Sequence, residues 1–339
     1  MSSNINLVKL FARLVKIPSC SECDRPAAWT RPWDRKRLCL LHFNTAFLKR
    51  VQKTINKYRL FERNDTIAVG ISGGKDSVVL LDTIVRLQKR HQTEVIAVTI
   101  DEGISGYRED GLKYAKMAAK RAGVEHVVYS FKERFGSTLD ETLTLLENNT
   151  NGKRLGACSY CGIFRRKLLN EAARAVGATK LATGHNADDE AQTVVMNLFR
   201  GDILKTLRSD PVPNFKHPLF VPRVKPFRWT TEQEIVLYAH FNNLPYQEMP
   251  CPNAVEAHRG IIRDIMTNYM EHTPDALFSI LTSADKLFEL ANAVDVPEVK
   301  DKIVPLKPQE CIRCGEPSAT RMCKACKVQE KIEAAKRSV

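Results

Sequence analysis

Between residues 66 and 183 the chain alternates short apolar runs with amphipathic stretches, and this alternation restricts its fold more than any other feature. Thr66–Ile71 reads as a strand, followed after a glycine-rich turn by a helix over Val78–Gln88. Glu94–Ile100 is a second strand with a helix over Glu109–Ala122; Glu125–Phe131 and Lys180–Thr183 are a third and a fourth strand. Strands alternating with helices of ten or more residues predict an α/β fold with a doubly wound parallel sheet. Ligands of such sheets sit beyond the carboxyl ends of the strands. The loop Gly70–Ser77, the pair Asp101-Glu102 and the triplet Gly184-His185-Asn186 all fall there.

The loop reads Gly70-Ile71-Ser72-Gly73-Gly74-Lys75-Asp76-Ser77. It has the look of a phosphate cradle, but the nucleotide loop of kinases and GTPases needs Ser or Thr directly after its lysine, and here Asp76 follows Lys75. A different phosphate chemistry is implied.

Ten cysteines are many for an enzyme, and their spacing is that of metal ligands rather than of a secreted disulfide framework. Cys20-x2-Cys23 with Cys39-x2-His42, and Cys311-x2-Cys314 with Cys323-x2-Cys326, each supply four soft ligands in two pairs, as a closed tetrahedral zinc site requires. Two structural zinc modules are expected, one near each end. Cys158, Cys161 and Cys251 remain. Three thiolates are one short of a closed zinc or iron-sulfur site, and a centre with an open position can bind substrate. The alternative is a set of small core residues.

Lys and Arg give the chain a formal net charge of +13, which suggests a polyanionic partner. Basic segments at Arg31–Arg37, Lys49–Arg59 and Arg223–Arg228 are candidate phosphate contacts. Trp29, Trp33 and Trp229 are either packing residues or platforms for bases. No apolar stretch approaches the ~18 residues that span a bilayer, so no membrane association is expected. The acid-free segment Leu7–Leu14 is amphipathic like a transit peptide, but Cys20 follows too closely for a spacer. Cysteines at metal-ligand spacing without a secretory signal point to a reducing cytoplasm with metal-bound thiolates. Residues 138–153 read as a helix leading into a mobile loop ahead of Cys158, Cys251–Leu290 as helical, and Val294–Lys307 as a linker.

With these motifs in hand, the chain resembles a known family. The Ser72–Ser77 loop after a strand looks like the pyrophosphate loop of the PP-loop ATPases, which cleave ATP between the α and β phosphates. Adding TGHNADDEAQT at 183–193, the C-x-x-C ahead of RRKLLN, a later single cysteine and metal knuckles at both ends, the chain is similar to the tRNA uridine 2-thiolases from Cys20 to Cys326. The resemblance implies ATP-dependent 2-thiolation of a tRNA uridine at position 34 or 54. It implies ATP and Mg2+ at Gly70, Ser72, Gly73, Gly74, Lys75, Asp76, Ser77, Asp101, Gly184 and His185. It also implies a 4Fe-4S cluster on Cys158, Cys161 and Cys251, with persulfide chemistry as the competing route.

By the same resemblance Asp189 is a catalytic carboxylate, alongside Lys75 and Asp76; its other reading is a helix N-terminal acid favoured by the dipole. Arg165 and Arg166 are placed to meet tRNA phosphate or the adenylate. A ubiquitin-like thiocarboxylate protein or sulfide would donate sulfur, and a homodimer is a family expectation. The domain boundaries that follow are an N-terminal knuckle over 1–50, a PP-loop domain over 51–300 and a C-terminal ribbon over 301–339. A tRNA 2-thiocytidine synthetase and a non-catalytic, zinc-dependent RNA-binding scaffold are the alternatives.

Overall fold

The computed structural model describes residues 17–89, 93–147, 155–207, 211, 217–256, 259–293 and 309–337. At its centre lies a five-stranded parallel sheet built from β1 (Thr66–Gly70), β2 (Glu94–Asp101), β3 (Glu125–Ser130), β4 (Lys180–Ala182) and β5 (Arg223–Val224). The strand order is β3-β2-β1-β4-β5. Helix α1 (Leu40–Tyr58) precedes the sheet, α2 (Lys75–Gln88) joins β1 to β2, and α3 (Arg108–Ala122) joins β2 to β3. Helices α4 (Leu139–Glu147) and α5 (Ala157–Ala175) lead back across the sheet to β4 on the opposite side of β1. The chain then adds α6 (Ala187–Phe199), α7 (Glu232–Phe241), α8 (Arg259–His272) and α9 (Ala276–Ala293), and closes with α10 (Lys324–Arg337).

The doubly wound expectation holds, and its physical reason is visible in β1. Ile67 and Val69 point into one core with Phe47, Val51 and Leu80, whereas Ala68 points into the other with Val98, Phe164 and Leu168. Both faces of a parallel strand are covered, so its sequence reads as an unbroken apolar run. The order reverses between β1 and β4, which opens a crevice at their carboxyl ends.

Several expectations are corrected. β5 is a fifth strand within Arg223–Arg228, a segment expected to face RNA. Two of its charges turn inward: Arg228 is only 1% exposed and bridges Glu190 and Asp285 at 2.8 and 2.9 Å, and Lys225 joins Glu190 at 2.7 Å. The helical stretch after Cys251 is divided, because Pro274 cannot donate the hydrogen bond that would continue α8 into α9.

The position between residues 50 and 51 lies inside α1, whose Phe43, Phe47, Val51 and Ile55 are all buried in the core shared with β1. Helix α10 likewise buries Ala325, Val328 and Ile332 against α5 and its neighbours. The segment Leu7–Leu14, the loop after Glu147, and residues 294–308 with the boundary at 300 lie outside the described residues. Among the described residues no helix is long and apolar enough to cross a membrane.

Trp29 and Trp33 pack edge-on against Phe43 and Phe278, and Trp229 stacks on Phe278 while its indole N–H donates to Tyr58 Oη at 2.8 Å. All three are packing residues here.

Candidate active site

Two groups of ligands close at the ends of the chain. The donor atoms of Cys20, Cys23, Cys39 and His42 lie within 4.8 Å of one another, as do those of Cys311, Cys314, Cys323 and Cys326. Short antiparallel pairs, Trp29–Thr30 with Arg37–Leu38 and Gln309–Glu310 with Pro317–Ser318, hold each set. Burial raises the Cys20 and Cys311 thiols, but hydrogen bonds from neighbouring backbone N–H groups outweigh it and bring both down to about 6. Donor set and closure fit zinc-binding modules.

The crevice at β1 and β4 contains a cavity of about 340 Å³. One wall is the Gly70–Ser77 loop, which the sequence forces into shape at Gly73. This residue has φ +88°, and a Cβ there would stand 2.2 Å from the Gly111 carbonyl oxygen of α3. The loop is tied internally: Ser72 N donates to Ser77 Oγ at 3.0 Å, and Ser77 Oγ to the Gly74 carbonyl at 2.8 Å. From outside, Gln247 N donates to the Gly73 carbonyl at 2.9 Å. Lys75 starts α2, so the loop delivers its N–H groups at a helix N-terminus, where an anion is favoured. Gly184 lets β4's end approach that terminus, since a Cβ there would meet the Asp76 backbone at 3.0 Å.

Acids and bases around the loop are neutralised in a definite pattern. Lys75 Nζ lies between Asp76 (3.0 Å) and Glu232 (2.7 Å), and Asn186 donates to the other Asp76 oxygen at 3.0 Å. Burial raises the Asp76 carboxyl, with Lys75 and Asn186 pulling it part of the way back. His185 lines the cavity, where loss of solvent and the nearby Lys225 keep its imidazole below its ordinary value. Asp189 completes a capping box with Asn186 and binds Arg259 at 2.8 Å. Asp189 thus caps α6 and also lines the cavity.

Burial raises its neighbour Asp188 to about 6; the Glu232 N–H that donates to it offsets this in part, and the Glu232 and Asp189 carboxylates add to it. An acid held above its unfolded value of about 4 keeps a proton that the unfolded chain has released, so stability falls as pH rises from about 4 to 6. Asp188→Asn should relieve roughly 2 kcal/mol at neutral pH. Calorimetry should find variant and wild-type Tm equal near pH 4 and the variant a few degrees higher at pH 7; coincidence at pH 7 would refute the assignment.

Sequence reasoning named Asp101, but its carboxylate accepts from Gly103 N at 2.9 Å and does not line the cavity. The next residue does. Glu102, 4% exposed, lies between Arg108 (3.0 Å) and Arg165 (2.9 Å). Arg108 Nη1 donates to the Ser72 carbonyl at 2.7 Å, and Arg165 Nη2 donates to Cys161 Sγ at 2.9 Å. Ion-paired and hydrogen-bonded polar groups thus run without a break from the loop to a cysteine. Arg108 was missed because nothing local distinguishes it from the other basic residues of α3.

Cys161 is buried in the first turns of α5, and Cys158 is exposed beside it. Cys158 Sγ donates to the carbonyl of Asn253, two residues past Cys251, and Cys251 packs against the core that holds Cys161. The structure therefore gathers the three residues at one end of α5. Burial raises the Cys161 thiol, and the Arg165 guanidinium pulls it back. The trio does not close to single-ion spacing as the terminal sets do. Three thiols with wider spacing fit a cubane cluster better than one zinc ion. The nucleotide fit rests on a separate observation: Arg108 Nη2 is buried without a hydrogen-bond partner, on a residue lining the cavity. An arriving phosphate oxygen would satisfy it.

Comparison with known proteins follows the same outline. Residues 43–270 match the PP-loop domain family. The cytoplasmic tRNA 2-thiolation protein 1 of Saccharomyces cerevisiae is 36% identical over 94% of this chain and 88% of its own. That of Chlamydomonas reinhardtii is 36% identical over 92% and 84%. Among solved structures, the U34-tRNA thiolase NcsA of Methanococcus maripaludis, with its 4Fe-4S cluster, superposes with a TM-score of 0.76 at 30% identity, covering 94% of this chain and 97% of that one.

Proposed function

We propose, since the chain belongs to the PP-loop family that includes the cytoplasmic tRNA 2-thiolation proteins, that it is an ATP-dependent cytoplasmic tRNA thiolase replacing the C2 oxygen of uridine 34 by sulfur. The observation that carries this reading is the cavity with the phosphate loop on one wall and Arg165, bound to Cys161, on the other.

A uracil C2 oxygen is a poor leaving group, so it must first be activated. Its attack on the α phosphorus of ATP breaks the α–β phosphoanhydride bond and releases pyrophosphate. The backbone N–H groups around Gly73 and Gly74, at the start of α2, hold the departing phosphates in place as charge develops on them. Ser72 and Ser77 brace the loop, and Arg108 offers its unpartnered N–H groups to a phosphate oxygen. Asp76 and Glu232, which pair with Lys75 here, are the carboxylates that would hold a magnesium ion, and the ion would neutralise charge on the phosphates beside Lys75. Asp189, held by Arg259, is the carboxylate placed to manage a proton.

Sulfur then attacks C2, the C2–O bond breaks and AMP leaves with the oxygen. A 4Fe-4S cluster on Cys158, Cys161 and Cys251 supplies, when bound, an iron without a protein ligand to present the sulfur. Arg165, which lines the cavity, stabilises the thiolate form of Cys161. Zinc in the two terminal sets keeps the modules folded.

The test is incubation of anaerobically purified, iron-reconstituted protein with ATP, magnesium, sulfide and unmodified tRNA. Mass spectrometry of nuclease fragments should locate 2-thiouridine at position 34. Product at position 54 instead would overturn the site choice, and absence of both thionucleoside and pyrophosphate would overturn the reading.

A further inference from the structure

Helix α5 divides two cavities. Arg165 faces the nucleotide cavity, while the next residue, Arg166, lines a second one of about 280 Å³. The far side of this second cavity is formed by Arg223 of β5 and by Lys324, beside the metal ligand Cys323 of the C-terminal ribbon. Among the described residues, no carboxylate lies within salt-bridge distance of Arg166, Arg223 or Lys324.

Arg223 Nη2 donates to the Arg166 carbonyl at 2.6 Å, and its Nε is buried without a partner. Burial, reinforced by the adjacent Arg165 and Arg166 charges respectively, holds the guanidiniums of Arg166 and Arg223 below their ordinary value, that of Arg223 at about 10. The other polar residues of the cavity are already committed. Glu316 is taken by Arg174, Lys167 by Glu171 at 2.9 Å, and Asn170 by the backbone of Leu219 and Val221.

Arg223 is half-buried with its Nε fully enclosed and unpartnered, and it stands beside a second guanidinium with no acid between them, an arrangement that favours an anion joining the two. A planar N–H fork suits phosphate oxygens, and Lys324 adds a point charge at the rim. We propose that this cavity binds a backbone phosphodiester of the RNA substrate, clamping the strand between α5, β5 and the C-terminal ribbon. The proposal rests on the reading of the chain as acting on tRNA. Phosphate from ATP or pyrophosphate would satisfy the same groups, but those phosphates have their own loop on the opposite side of α5. The clamp also gives the ribbon a role, because the metal that folds it shapes one wall of the RNA contact.

The test uses the full chain, measuring the affinity of unmodified tRNA across a salt series and, separately, the affinity of ATP. Lys324→Gln alters an exposed side chain and should reduce the salt slope of tRNA binding by about one; adding Arg166→Gln should reduce it by about two and weaken binding roughly tenfold near physiological salt. ATP affinity and Tm should stay near wild type. A double variant with wild-type tRNA affinity and slope would overturn the clamp while leaving the thiolase reading standing. A parallel loss of ATP affinity would assign the cavity to nucleotide phosphate and also overturn it. Failure of the wild-type protein to bind tRNA would remove the substrate reading first.

Discussion

Gly73→Ala is expected to lower ATP-dependent thiolation by at least about 100-fold, through loss of nucleotide binding rather than of the fold. Two independent costs fall on that one methyl group. The backbone at φ +88° is a conformation that side chains rarely adopt, and the new Cβ would stand 2.2 Å from the Gly111 carbonyl oxygen. That oxygen belongs to the first turns of α3 and cannot move aside as a flexible side chain would. The loop must shift instead, breaking the Gln247 N–H bond to the Gly73 carbonyl and misaiming the N–H groups meant for phosphate. Misplacement by about 1 Å is enough for a loss of this size. Calorimetric titration with ATP should show affinity collapsing, while the metal held by the two terminal ligand sets, which do not line the cavity, stays at its wild-type content. Near-normal ATP affinity in the variant would mean that the loop does not hold the nucleotide.

What could be read from the sequence, and what could not, divides along the range of the forces involved. The strand at Thr66 and the loop after it were legible because both depend on neighbours in sequence: an apolar run covered on both faces, then glycines where a backbone must approach closely. The terminal ligand sets were legible for the same reason, since two pairs at fixed spacing declare their own geometry. β5 was not, because two paired residues between prolines carry no periodicity. The inward turn of Lys225 and Arg228 was not legible because their partners, Glu190 and Asp285, are supplied by distant helices. Asp101 was chosen over Glu102 at the end of β2, although strand alternation turns consecutive side chains to opposite sides and only one of them could enter the cavity.

Glu102 is also where the second large effect is expected. Its carboxylate is the only link in the described structure between Arg108, which holds the Ser72 carbonyl, and Arg165, which holds Cys161. Glu102→Gln keeps the shape and removes the charge, leaving Arg108, 3% exposed, with uncompensated charge. Breaking one partner out of a buried pair costs about 3 to 5 kcal/mol, part of which the groups recover by moving toward water. That movement pulls at the phosphate loop from one end and at the Cys161 thiol from the other. Thiolation should therefore fall by roughly 100-fold, with KM for ATP raised and the cysteine-bound cluster spectroscopically altered in the same protein. A purely structural role would lower Tm and the active fraction together and leave both signatures unchanged in the molecules that remain folded. Glu102→Asp, which restores charge at shorter reach, should recover ATP affinity before it recovers turnover. If the glutamine variant thiolates normally, or if its loss tracks only the folded fraction, the loop and the cysteines are independent sites and Glu102 merely fills space between them.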